Sequence, residues 1–173
     1  GSMKNGLIAA VDEDDGTFSD ANIDGNVLKV QDNVPKEHFI KLDYRHGIFK
    51  RHTEWTTKRG NIVLESERFV SMDDIHVGAE KYKITADFHA DINFVTGIDG
   101  DVWDINGPHY DELIMDEDDC ISIVGISHEK KYHVAVSVSE DENFPCEKKT
   151  MFRNEDKKII KSLNFVSDIK KCY

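Results

Sequence analysis

Lys81-Tyr82-Lys83-Ile84-Thr85-Ala86-Asp87-Phe88 alternates apolar and polar side chains without a break. Tyr82, Ile84, Ala86 and Phe88 fall on one face, and Lys83, Thr85 and Asp87 on the other. That period of two is the signature of a half-buried strand. The pattern recurs at Tyr132, Val134, Val136 and Val138. It recurs again at His38, Ile40, Leu42 and Tyr44, set against Phe39, Lys41, Asp43 and Arg45. Shorter runs rich in β-branched and aromatic residues occur at 7–11, 27–30, 48–53, 62–65, 92–96 and 121–126. Turn signals separate them: Asp15-Gly16, Asp24-Gly25-Asn26, His46-Gly47, Arg59-Gly60, Asp99-Gly100 and Asn106-Gly107-Pro108. Many short strands at this spacing predict a mainly β fold, an antiparallel barrel or sandwich.

One segment breaks the alternation. Between Glu155 and Lys171, the residues Ile159, Ile160, Leu163, Val166 and Ile169 recur at intervals of three and four. Asn154 stands where an N-cap would, acids follow it, and Lys170 and Lys171 close the segment, as a helix dipole favours. The spacing predicts a C-terminal amphipathic helix that caps a barrel end or sheet face. A further helical turn is expected over residues 109–115.

The length of 173 residues suits one ordinary domain with a core of its own. A single domain over residues 4–173 is the first expectation, with Gly1-Ser2-Met3 read as a cleavage remnant before a start methionine. The alternative is two small OB-like β modules, 4–56 and 60–173, because 6–55 and 60–105 share a loose order of strand, turn, strand and acidic loop. No apolar run reaches the roughly 18 residues of a membrane helix, so no membrane partner is expected. Cys120, Cys146 and Cys172 are odd in number and far apart, and no Cys-x-x-Cys occurs. With no signal-peptide pattern either, the reading is an intracellular protein, cytoplasmic or nuclear, with reduced thiols.

Charge is unevenly distributed. The chain has 22 basic and 34 acidic residues, a net charge of −12 with histidine neutral. Residues 60–125 hold 16 of the acids and only 3 bases, whereas 36–59 hold 7 bases against 3 acids and 148–173 hold 8 against 3. Two basic segments therefore flank an acidic middle. Either they pair within the fold, or they form a two-signed surface that steers a charged partner.

Asp20-Ala21-Asn22-Ile23-Asp24-Gly25 places oxygen side chains at alternate positions ahead of a glycine, like the first half of a calcium loop. Asp20, Asn22 and Asp24 are the candidate ligands. The closing position holds the neutral amide Gln31 where a bidentate glutamate belongs, and the flanks read as strands, so no metal is expected. His109 stands beside Asp111 and Glu112, carboxylates that favour its charged form. No Gly-rich phosphate loop, Gly-x-Ser-x-Gly or His-Glu-x-x-His occurs. The expectation is a protein without a cofactor, and an enzyme is the lesser reading.

The basic segment interleaves Phe39, Tyr44, Phe49 and Trp55 with cations. Aromatic platforms beside positive charge grip single-stranded nucleic acid, and strand alternation alone produces the same pattern by sending aromatics inward. Lys41, Arg45, Lys50, Arg51, Trp55, Lys58 and Arg59 are the candidate partner-binding residues. The rhythm of residues 6–11, of Gly16-Thr17-Phe18, of 27–30, and of 69–78 followed by the 82–88 strand resembles a cold-shock or related OB-type module. That resemblance implies a small barrel. Base binding does not carry over, because the second strand keeps Phe18 alone and the third has no aromatic. Together these features favour a non-enzymatic protein-interaction domain, an adaptor or an acidic inhibitor of the immunity-protein kind. The alternative is an RNA or single-stranded nucleic-acid binder acting through 36–59.

Overall fold

The computed structural model describes residues 21–23, 26–28, 30, 33–105, 107–129 and 131–167. The described residues form strands β1 (Ala21–Ile23), β2 (Asn26–Val27), β3 (Glu37–Asp43), β4 (Ile48–Thr56), β5 (Asn61–Val70), β6 (Gly78–Ala86) and β7 (Asp91–Asp99). They continue with β8 (Trp103–Asp104), β9 (Gly107–Pro108), β10 (Tyr110–Glu117), β11 (Ile121–Ser127), β12 (His133–Val138), β13 (Glu147–Arg153) and β14 (Lys158–Val166). The expected antiparallel, mainly β architecture is present. The described residues contain no closed barrel and no helix.

The described residues divide into two compact units, one within 22–92 with 165–167, the other within 93–164 with Ala21. In the first unit β3, β4, β5 and β6 form one antiparallel sheet in chain order. The quoted stretch is its last strand: Ile84 and Ala86 are buried and Lys81 and Lys83 exposed. Register carries that face across the sheet, since Ala86 opposes Ile62, Ile62 opposes Trp55, and Ile84 opposes Leu64, which opposes Thr53. All six are buried. The β4–β5 turn needs Gly60. Its φ is +152°, and a β-carbon there would meet Asp87 Oδ1 at 2.0 Å, the atom that accepts from Asn61 N at 2.8 Å. Ser167 anchors the C-terminal piece of this unit: its hydroxyl accepts from Ala90 N at 2.8 Å and donates to Phe88 O at 3.0 Å.

In the second unit β10, β11 and β12 form a meander. β13, β14 and β7 are neighbours in that order in another sheet. Ile121 and Ile123 of β11, Ile98 of β7 and Ile159 of β14 make the core, with Leu113, Met115, Val136 and Val138 packed against it. Gly97 is required by close approach, since a β-carbon there would lie 2.3 Å from Ile159 O.

The C-terminal segment corrects the helix expectation. Residues 154–157 form a turn, closed by Lys157 N donating to Asn154 O (3.2 Å), with Lys157 at φ 55°. The chain then returns as β14 against β13, with Ile160 opposite Met151 and Leu163 opposite Lys148. Both Ile159 and Ile160 are fully buried, so both faces of the strand are covered. A strand covered on both sides loses its period of two. The chance spacing of its isoleucines and leucine then mimicked a helix. Ile169, Lys170 and Lys171 lie outside the described residues. Residues 109–115 likewise extend into strand β10 rather than a helical turn.

Candidate functional site

Alternation along β4 distributes the candidate basic residues over both faces of the sheet. Phe49, Arg51, Thr53 and Trp55 share the face of Ile62 and Leu64, while Lys50, His52 and Glu54 share the opposite face. Arg45 lies in the turn after β3, and Lys58 and Arg59 lie in the turn after β4. Those two turns flank a nine-residue strand, about 30 Å long at 3.3 Å per residue. Lys41, Arg45, Lys50, Arg51, Trp55, Lys58 and Arg59 are therefore spread over both faces and both ends of the sheet, with Lys41 directly opposite Lys50.

Their individual environments agree with this. Trp55 is buried, and its Nε1 donates to Asn33 O at 3.1 Å, so it is a core residue and not a platform. Arg59 lies over the Phe88 ring at 4.9 Å and donates to His89 O at 2.8 Å. Lys50 pairs with Glu67 at 2.5 Å, Lys83 with Glu65 at 2.6 Å and Lys36 with Glu54 at 2.7 Å. The basic C-terminal segment behaves similarly: Lys158 pairs with Asp99 (3.1 Å), Lys161 with Glu140 (2.6 Å) and Lys148 with Glu142 (2.6 Å). Much of the segregated charge is thus paired inside each unit.

The structure assembles a polar cluster that the sequence did not signal. Toward the 44–47 end of the sheet, the inward face changes from apolar to charged. Arg51 opposes Ser66, Ser66 opposes Tyr82, and Arg68 sits between Phe49 and Glu80. Arg68 lies over the Phe49 ring at 4.2 Å. Arg51 Nε and Glu80 Oε2 are buried atoms without a hydrogen-bond partner. Burial pushes the Glu80 carboxyl above the usual glutamate range, against the opposing pull of the Tyr82 hydroxyl and of Arg68 and Arg51. Nearby, His38 Nδ1 lies 2.9 Å from Thr53 Oγ1. Burial, aided by Arg51 and His52, keeps its imidazole neutral to lower pH than usual. The arrangement offers a donor and a carboxyl in a drying environment. The register that makes it joins residues up to 31 positions apart, and no local motif announces such a set.

Asp111 faces His128 Nδ1 (2.5 Å) and the Lys131 ammonium. Those two hydrogen bonds hold its carboxyl below the usual range. His109 N donates to Val102 O, and its ring meets Tyr110 edge-on at 4.9 Å. Asn22 of the calcium-like stretch pairs with Val27 in the β1–β2 hairpin, while Asp20 and Asp24 lie outside the described residues. Glu37, His52 and Glu54 are the one group of ligand-bearing side chains close enough to share a cation among the described residues. Lys36 already occupies Glu54, and Phe39 stacks on His52 at 4.9 Å.

With this geometry in view, comparison with known proteins defines the class. Residues 14–169 match glycosyl hydrolase family 65, N-terminal domain, and the chain belongs to that family. It is 51% identical over 79 residues to a nigerose phosphorylase of Lachnoclostridium phytofermentans, covering 46% of this chain and 10% of the relative. It is 32% identical over 109 residues to a 1,2-alpha-glucosylglycerol phosphorylase of Bacillus selenitireducens, covering 57% of this chain and 14% of that one. The solved structure of a putative kojibiose phosphorylase from human microbiome shares the fold, with a TM-score of 0.77 at 13% identity, over 90% of this chain and 20% of that one. The chain thus spans a fifth or less of the length of these relatives.

Family membership overturns three expectations together. The adaptor or inhibitor reading, the nucleic-acid reading and the non-enzyme reading all give way to a domain family whose members here are sugar phosphorylases. The chain corresponds to only 10–20% of these relatives, so the lack of a catalytic motif within it carries no weight against an enzyme.

Proposed function

We propose that this chain is the N-terminal β domain of a glycoside phosphorylase. Such an enzyme moves a glucosyl group between an α-linked sugar or polyol and inorganic phosphate. The match of residues 14–169 to the family carries this reading, and the nigerose phosphorylase relative at 51% identity supports an α-linked glucose disaccharide as substrate. Cys120 and Cys146 are both free, which supports a reducing, intracellular setting. The test is turnover by the full-length protein in which this domain stands. Incubated with nigerose, kojibiose or glucosylglycerol, it should release glucose 1-phosphate only when inorganic phosphate is present. Hydrolysis that ignores phosphate, or no turnover of any of the three, would overturn the assignment.

A further inference from the structure

The chain holds 34 acids against 22 bases, so a cation without a carboxylate partner is an exception. Lys36, Lys50, Lys83, Lys148, Lys158 and Lys161 each hold one. Arg51 of β4 and Arg68 of β5 share the inward face of the four-stranded sheet, and among the described residues neither forms an ion pair. Arg68 stands directly opposite Glu80, yet its guanidinium lies over the Phe49 ring at 4.2 Å. Stacking holds a guanidinium in place and leaves its N–H edge unspent. Arg51 Nε is buried without a partner, and so is Glu80 Oε2. Buried polar atoms are satisfied almost without exception, so each orphan needs an explanation, and a ligand that supplies the missing bonds is one.

The register builds a cup around these groups. Ser66 lies between Arg51 and Tyr82 across the strands, and between Leu64 and Arg68 along its own strand. Adjacent strands stand about 5 Å apart, and next-but-one residues on one face about 7 Å. Four large side chains thus surround one small one, which leaves room over Ser66 for a small tetrahedral group. The Tyr82 hydroxyl is spent on the Glu80 carboxyl. Burial favours the protonated form of that carboxyl, which offers an O–H. On the β3 side, Ile40 opposes Arg51 and is 57% exposed, so the cup is open there. The groups that line it are donors with two positive charges. An acceptor-rich anion matches them, whereas a neutral carbohydrate hydroxyl would spend half its capacity as a donor.

We infer that Arg51, Arg68 and Ser66 hold a phosphate dianion, free or as a monoester, on the inward face of the first unit, with Glu80 closing the site. Guanidinium groups present paired N–H donors that fit phosphate oxygens, and such charge-assisted bonds are the strong ones. The inference does not depend on the phosphorylase assignment.

Isothermal titration calorimetry of the 173-residue chain with inorganic phosphate, at constant ionic strength, should show one site of millimolar affinity or better. Glucose 1-phosphate is the monoester to set against it. Competition between the two assigns the site to the phosphate group, and an ester that does not compete confines the ligand to the free ion. Arg51→Gln should weaken binding at least about tenfold. Arg51→Lys keeps the charge without the Nε donor and should not restore it. Glu80→Gln keeps a donor and cannot ionise, so it should bind as well as wild type or better. Lys83→Gln, on the opposite face, should bind as wild type and controls for general charge, and a thermal melt of each variant checks folding. A wild type that does not bind phosphate overturns the proposal. So does binding that Arg51→Gln leaves unchanged, that Glu80→Gln abolishes, or that Lys83→Gln weakens equally.

Discussion

Gly97 has no side chain to be recognised by, yet it sets the spacing between two strands. Its missing β-carbon lets the backbone of β14 come within van der Waals contact. Gly97→Ala therefore forces the Ile159 carbonyl to move, and overpacking of this kind costs about 1–3 kcal/mol. Chemical denaturation should show that loss, and an unchanged midpoint would mean that the strands separate freely. Glu80 has a different dependence. Its carboxyl titrates above the ordinary range in the folded chain, mainly through burial. Its contribution is fully present below the ordinary glutamate pKa and is lost as pH rises through the raised value. Glu80→Gln cannot ionise, so it should melt higher than wild type at pH 8 and match it near pH 4. Equal melting temperatures at both pH values would show that Arg51 and Arg68 already compensate the buried charge. Gly97 and Glu80 were both silent in the sequence, because what matters at each is a neighbour on another strand.

Strands β6 and β14 show what periodicity does and does not record. β6 has water on one face and core on the other, and its alternation reads directly as buried and exposed. β14 is covered on both faces, so its apolar residues carry no face information, and helix-like spacing arises by chance. Pairing with β13 over seven residue pairs, from Glu147↔Asn164 to Arg153↔Lys158, decides between the alternatives. If β14 is a core strand, Ile159→Ala should cost about 2–5 kcal/mol, as for any fully buried aliphatic side chain. A loss under 1 kcal/mol, measured by urea unfolding, would contradict that placement. The turn before it makes a second, smaller test. Lys157 adopts φ 55°, a left-handed conformation that costs a non-glycine residue about 1–2 kcal/mol. Lys157→Gly should therefore raise stability, less what its exposed contact with Asp101 supplies.

At the scale of the molecule, charge is the property most changed by folding. The basic segment 36–59 is dispersed over two faces and two ends of one sheet, and Lys50 is tied to a glutamate of the acidic middle. The chain should accordingly fail to retard a mixed single-stranded oligonucleotide at low salt, and fluorescence anisotropy would reveal binding if it occurred. Micromolar, salt-sensitive binding would restore a polyanion surface that the fold does not build. Several things were legible in residue order alone. They are the β class, the sheet strands with one wet face, the turns at Gly47 and Gly60, and the inward face through Ile84 and Ala86. Each depends on a residue's chemistry and its nearest neighbours in the chain. The other features rest on contacts between distant positions: the strand identity of 158–166, the Arg51–Arg68–Glu80 cluster, the partners of Asp111 and the pairing of opposite charges. Strand register creates them, and it is set by burial across whole sheets. For that reason residue order sets the alternation of the strands with one wet face, and only the folded chain shows which side chains meet and that 158–166 is a strand.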